Sequence, residues 1–119
     1  MKLDNILNES REWRRIDVDL AAKGKMTTGK SFESRVVNIN PDGVCFVVPQ
    51  GVAAGQEVRL VMELPAIGKM EARVKISWAG YLEQYKHVRA GGKFEDLPEK
   101  EKEKFLRYYH LKVMSSMGG

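Results

Sequence analysis

Cysteine is almost missing from this chain: Cys45 stands alone among 119 residues. An internal disulfide or a cysteine cluster for a metal is therefore excluded. Histidine is nearly as scarce, with His87 and His110 isolated and neither beside a second ligand at metal spacing. No apolar run approaches the ~20 residues that span a bilayer, and the opening MKLDNILNES lacks the apolar core of a secretory signal. The cytoplasm is the expected compartment, with no membrane contact. Catalytic signatures are absent too: the sequence holds no nucleophile elbow, no HExxH pair and no clustered carboxylates at a strand end. A non-enzymatic protein without metal or cofactor is expected. Repeats, linkers and low-complexity blocks are also lacking, which leaves one domain.

What is present is a balanced, mildly basic composition, with 43% hydrophobic and 30% charged residues and a net charge of +4. Such a chain folds, and its charge favours an anionic ligand without demanding nucleic acid. The basic residues Arg11, Arg14, Arg15, Lys23, Lys25 and Lys30 all fall in the first quarter. Period-two alternation dominates the middle. Ile16, Val18 and Leu20 face one way and Asp17 and Asp19 the other. Val58, Leu60, Met62 and Leu64 repeat the pattern, as do Met70, Ala72, Val74, Ile76 and Trp78. Each reads as a strand with one dry and one wet face. RVVNI, VCFVV and VRAGGKF add three more. Cys45, in VCFVV, reads as a buried inert thiol.

Turns separate these strands. NPDG at 40–43 combines a fixed φ with a permissive one, LPAIGK at 64–69 joins two strands as a hairpin, and GVAAGQ is a longer loop. From DLPEKEKEKFLRYYHLKV onward the pattern becomes helical. Pro98 suits a first turn, Glu99 and Glu101 favour the positive end of the dipole, and Phe105, Leu106, Tyr109 and Val113 form a stripe. An all-β fold follows: a six-stranded antiparallel barrel, closed to avoid bare edges, with a C-terminal α-helix. Tyr108 and Tyr109 are expected one out and one in. Trp78 follows the apolar face of its strand and is assigned to the core.

GKMTTGKS, Gly24 to Ser31, spells a Walker A loop. A phosphate loop needs a parallel strand before it and a helix after it. SFESRVVNI follows instead, so the segment reads as a turn between the first two strands.

Two short patterns carry chemistry. Arg11 and Arg15 flank EWR, and a guanidinium is a planar fork matched to phosphate oxygens or to the O6/N7 edge of guanine. Asn38 and Asn40 sit two apart in NINPDG and share a strand face, offering donors and acceptors. Gly43 closes the pattern without a Cβ and lets a flat ligand approach.

In their order along the chain, these residues resemble the PilZ domain family from about Arg11 to Val113. RIDVDL follows the arginine pair. A strand ending in Asn-x-Asn-x-x-Gly comes next, then AAGQEVRLVMEL, EARVKISWAG, VRAGGKFEDL and a terminal helix. The resemblance implies a six-stranded barrel that acts as a bacterial receptor for the second messenger cyclic di-GMP. It implies that Arg11 and Arg15 grip phosphate and guanine, with Asn38 at the Asp/Asn position that contacts guanine and Gly43 as the closing glycine. Asn40 stands where the family has Ser, the one departure. Arg14 either touches the ligand or stays solvated; Trp13 packs on the barrel or on the ligand. Residues 1–10 read as an N-terminal extension, 11–114 as the binding domain and 115–119 as a flexible tail.

The expected partners are cyclic di-GMP and an unidentified downstream protein. One rival reading is a family member that serves as a protein adaptor without binding nucleotide, for which Asn40 is the argument. Another is a basic barrel that binds single-stranded nucleic acid, ranked low because most aromatics lie on the apolar side of the strands.

Overall fold

The computed structural model describes residues 15–118, with side chains as far as residue 115. Six strands precede one helix: β1 (Ile16–Met26), β2 (Ser31–Asn40), β3 (Gly43–Val48), β4 (Glu57–Leu64), β5 (Gly68–Leu82), β6 (His87–Glu95) and α1 (Glu99–Gly118). The strands close into an antiparallel barrel in the order β1-β2-β3-β6-β5-β4. The expected architecture is therefore found, and the β1–β4 pairing from Ala22↔Met62 to Met26↔Val58 removes the last free edge.

The interior is filled by the alternating apolar residues. Leu20, Val36, Ile39, Phe46, Val58, Leu60, Met62, Val74 and Ile76 are all buried in one cluster. No buried polar or charged side chain occurs among the described residues. The Walker-like segment is the β1–β2 hairpin turn, closed by Met26 N–H to the Lys30 carbonyl at 2.8 Å and Gly29 N–H to the Met26 carbonyl at 2.8 Å. An antiparallel strand follows it, so it lacks the helix that a phosphate loop needs.

Helix α1 caps one side of the sheet. β6 pairs with β5 only from Arg73 onward, which leaves the start of β5 uncovered on that edge. Glu101 Oε1 accepts the Glu71 backbone N–H at 3.0 Å, and Lys104 Nζ donates to the Lys69 carbonyl at 3.0 Å. That backbone bond holds the Glu101 carboxyl below its ordinary range. Phe105 meets Phe94 edge-on at 4.8 Å. Tyr108 and Tyr109 are both buried, which corrects the expectation of one in and one out. The side face of the helix lies against the barrel wall, wide enough to cover adjacent positions. The helical backbone continues to Gly118, beyond residue 115 where a tail was expected to begin.

Register shifts interrupt three strands: one falls in β1 between Asp17 and Leu20, and two more, in β2 and β5, change the alternation. β2 passes from Val36 to Asn38 while β3 advances one residue, and β5 passes from Ile76 to Trp78 while β6 advances one. An inserted residue reverses which face the following side chains occupy. Val36 and Ile39 therefore both point inward although three apart, and Asn38 points out. Trp78 likewise turns outward and is 39% exposed, not in the core where its strict alternation with Ile76 assigned it.

Phe46 is fully buried at the centre of the cluster. Phe46→Ala is expected to cost about 3–5 kcal/mol, read as a lower urea midpoint at unchanged slope.

Candidate functional site

The bulges in β2 and β5 help to place one lateral row of residues on the outside of the wall. Register pairs Asp17 with Asn38, Asn38 with Cys45, Cys45 with Gly91 and Gly91 with Trp78. The row thus runs across five adjacent strands. Cys45 alternates with the inward Val44 and Phe46 and is absent from the core cluster, yet is only 6% exposed. It is buried against the outer wall, not in the interior.

That thiol reports its surroundings. Burial pushes its pKa up, while the charges of Arg89 and Arg15 and a hydrogen bond with Asn38 pull it down. Arg15, just ahead of β1, and Asn38, on β2, therefore converge on one point of the wall. Burial is the larger effect, and the thiol stays protonated.

Asn40 is committed elsewhere. Its Oδ1 accepts the backbone N–H groups of Asp42, at 2.8 Å, and Gly43, at 3.0 Å. This Asx turn holds the corner between β2 and β3, and Phe94 N–H bonds the Asp42 carbonyl at 3.0 Å to tie the corner to β6. Gly43 is required for packing. A Cβ there would lie 2.0 Å from the Gly92 carbonyl oxygen, so only glycine allows β3 to approach β6 at this level. Arg11, Arg14 and Trp13 lie outside the described residues. Of the outward acidic residues, Asp19 pairs with Arg35 at 2.6 Å, an exposed contact worth under about 1 kcal/mol.

Trp78 is the residue that sequence reasoning missed. A Cβ on Gly91 would lie 2.4 Å from Trp78 Nε1, so the indole lies across the bare backbone of β6. The Nε1 edge of the ring covers Gly91, and 39% of the residue stays exposed. The signal was present as glycine in VRAGGKF opposite a tryptophan, but reading it needs the register.

The PilZ domain pattern matches residues 9–111. The chain belongs to the PilZ domain family. Solved PilZ proteins share the fold at low identity. The E. coli YcgR PilZ domain with c-di-GMP has a TM-score of 0.70 at 10% identity, covering 89% of this chain and 93% of that one. The Bacillus subtilis inhibitor of motility MotI/DgrA has a TM-score of 0.73 at 15% identity, covering 85% of this chain and 50% of that one. The K. pneumonia MrkH–c-di-GMP complex has a TM-score of 0.75 at 9% identity, covering 87% and 52%. The chain thus spans about half the length of MotI/DgrA and MrkH. No curated protein sequence is significantly similar to it. Among the described residues, no helix is long and apolar enough to cross a membrane.

The raised Cys45 pKa has a direct consequence. Iodoacetamide should alkylate Cys45 in the folded protein more slowly than a free thiol at pH 8, with the rate rising only at higher pH. Unfolding in urea should abolish the difference. Equal rates in the two states would show that the thiol is not covered.

Proposed function

We propose that this PilZ protein is a cytoplasmic receptor for cyclic di-GMP that binds the dinucleotide on the outside of the barrel and passes the signal to a protein partner. The observation that carries the reading is the convergence of Arg15 and Asn38 on the Cys45 position, one residue from each half of the paired motif. Arg15, together with Arg11, supplies forked donors for phosphate and the guanine edge. Asn38 offers a carboxamide to a base edge. Trp78 adds a partly exposed aromatic ring, and base–aromatic stacking contributes about 1–3 kcal/mol per base. YcgR and MrkH, whose structures hold c-di-GMP, support the ligand's identity by kinship.

Asn40 does not argue for the non-binding adaptor. Its carboxamide oxygen is engaged with the turn backbone, so the larger side chain stays at the corner rather than over the row. Ligand binding draws the Arg11–Arg15 lead-in against the strand end at 38–43. That closure is the change a partner reads.

Calorimetric titration with cyclic di-GMP, with GTP as control, tests the reading. Saturable heat is expected with cyclic di-GMP, and Arg11→Ala and Arg15→Ala should each abolish it. The stoichiometry separates one bound dinucleotide from two. No heat at high micromolar ligand would overturn the receptor reading in favour of the adaptor.

A further inference from the structure

Arginines on the strands of this barrel are neutralised, with one exception. Arg35 pairs with Asp19 at 2.6 Å, Arg59 with Glu71 at 3.3 Å, and Arg73 with Glu57 at 3.3 Å and Asp96 at 2.9 Å. Arg89, on β6, forms no carboxylate pair among the described residues, although it is partly buried. Removing a cation from water without a countercharge is costly. Among the described residues its neighbours orient it and supply no countercharge. The guanidinium carbon sits 3.7 Å from the centre of the Tyr85 ring. Arg89 Nε donates to His87 Nε2 at 3.0 Å, and the imidazole in turn stacks with Tyr85 at 5.9 Å between centroids.

The β5–β6 hairpin builds this arrangement. Lys86 N–H bonds the Leu82 carbonyl at 2.8 Å, and Lys86 adopts a φ of 57°, which folds the loop so that Tyr85 returns over the strand. Arg89 is thereby held with its Nε occupied and, among the described residues, its terminal NH2 groups without a hydrogen-bond partner, the fork that suits a phosphate. Opposite it on β5 stands Gly80, where even an added Cβ would meet nothing within 4 Å. Among the described residues, the space above Gly80 is open.

Position matches the chemistry. Arg89 and Gly91 lie two apart on the outward face of β6, and Gly91 carries the Trp78 indole. The Arg89 charge also reaches Cys45, from the side of β3 opposite Arg15. A dianionic ligand lying over Cys45 would have a guanidinium on either flank.

We propose that Arg89 is a further ligand-binding residue of this site: it takes the phosphate on the β6 side of the bound dinucleotide, and Tyr85 is its positioning residue. The inference rests on the cyclic di-GMP reading above. A ring over one face of the guanidinium limits the rotamers that binding must freeze out, so the cation meets the phosphate already aimed.

The test is calorimetric titration of the full chain with cyclic di-GMP, alongside melting of the ligand-free variants. Arg89→Gln is expected to weaken binding roughly 10- to 100-fold, the range for losing a charge-assisted hydrogen bond, with the ligand-free melting temperature unchanged. Tyr85→Ala should weaken binding several-fold and Tyr85→Phe should restore it, because the ring and not the hydroxyl holds the guanidinium. If Arg15→Ala abolishes binding while Arg89→Gln stays within twofold of the wild type, the Arg89 assignment is overturned and the receptor reading stands. A loss in Arg89→Gln that follows a lower melting temperature would assign Arg89 to stability and overturn it equally. Absence of binding by the wild type would overturn the receptor reading and this inference with it.

Discussion

Closure of the sheet is the constraint on which everything else depends. Once β1 pairs with β4, every strand has an inside that must be dry and an outside that faces water, and two-residue periodicity assigns each side chain to one or the other. Polar recognition chemistry has no place in an interior without a single buried polar side chain among the described residues. It belongs on the outer wall. The bulges at Val37 and Ser77 shift the alternation, so that Asn38 and Trp78 reach that wall on either side of Cys45 and Gly91. Bulges cost ladder hydrogen bonds and cluster where a side chain must be re-aimed. Here they re-aim one on each flank of the same row.

The outer wall is shaped as much by missing side chains as by those present. Gly43 lets β3 and β6 draw together, and Gly91 provides the flat ground on which an indole lies. Over this surface the electrostatics are uneven. On β4 and β5, arginines and carboxylates alternate in exposed pairs that nearly cancel. Around Cys45 the neighbours are Arg15 and Arg89, and the thiol registers both.

The strands, the turns and the helix were legible because each rests on a local pattern. Alternation in EVRLVMEL, the Pro-Asp-Gly corner and the stripe through Phe105 and Tyr109 all declare themselves within a few residues. The paired motif was legible as a family pattern; Asn38 pairs with Cys45 in register, and the charge of Arg15 acts on the same thiol. What the sequence could not display was parity. Ile76 and Trp78 are two apart and apolar, which reads as one buried face; the extra residue that separates them is defined only by the partner strand. Arg89 escaped notice for the same reason. It stands out by having no carboxylate partner among the described residues and by Tyr85, brought back by a loop, and neither is visible along the chain. Gly43 was noticed for its permissive backbone, whereas its tightest neighbour is the carbonyl of Gly92.

The resting of Trp78 on Gly91 also restricts how such a chain can change over time. Losing the indole leaves an unfilled stretch of wall that many residues at position 78 would tolerate. Adding even a methyl group at 91 while the indole remains forces the ring off its seat. The two positions therefore form a one-way latch: descendants can shed the tryptophan first and then fill the glycine, but the opposite order passes through an intermediate with its aromatic face displaced. A side chain at 91 and an indole lying flat from 78 compete for the same space on the wall.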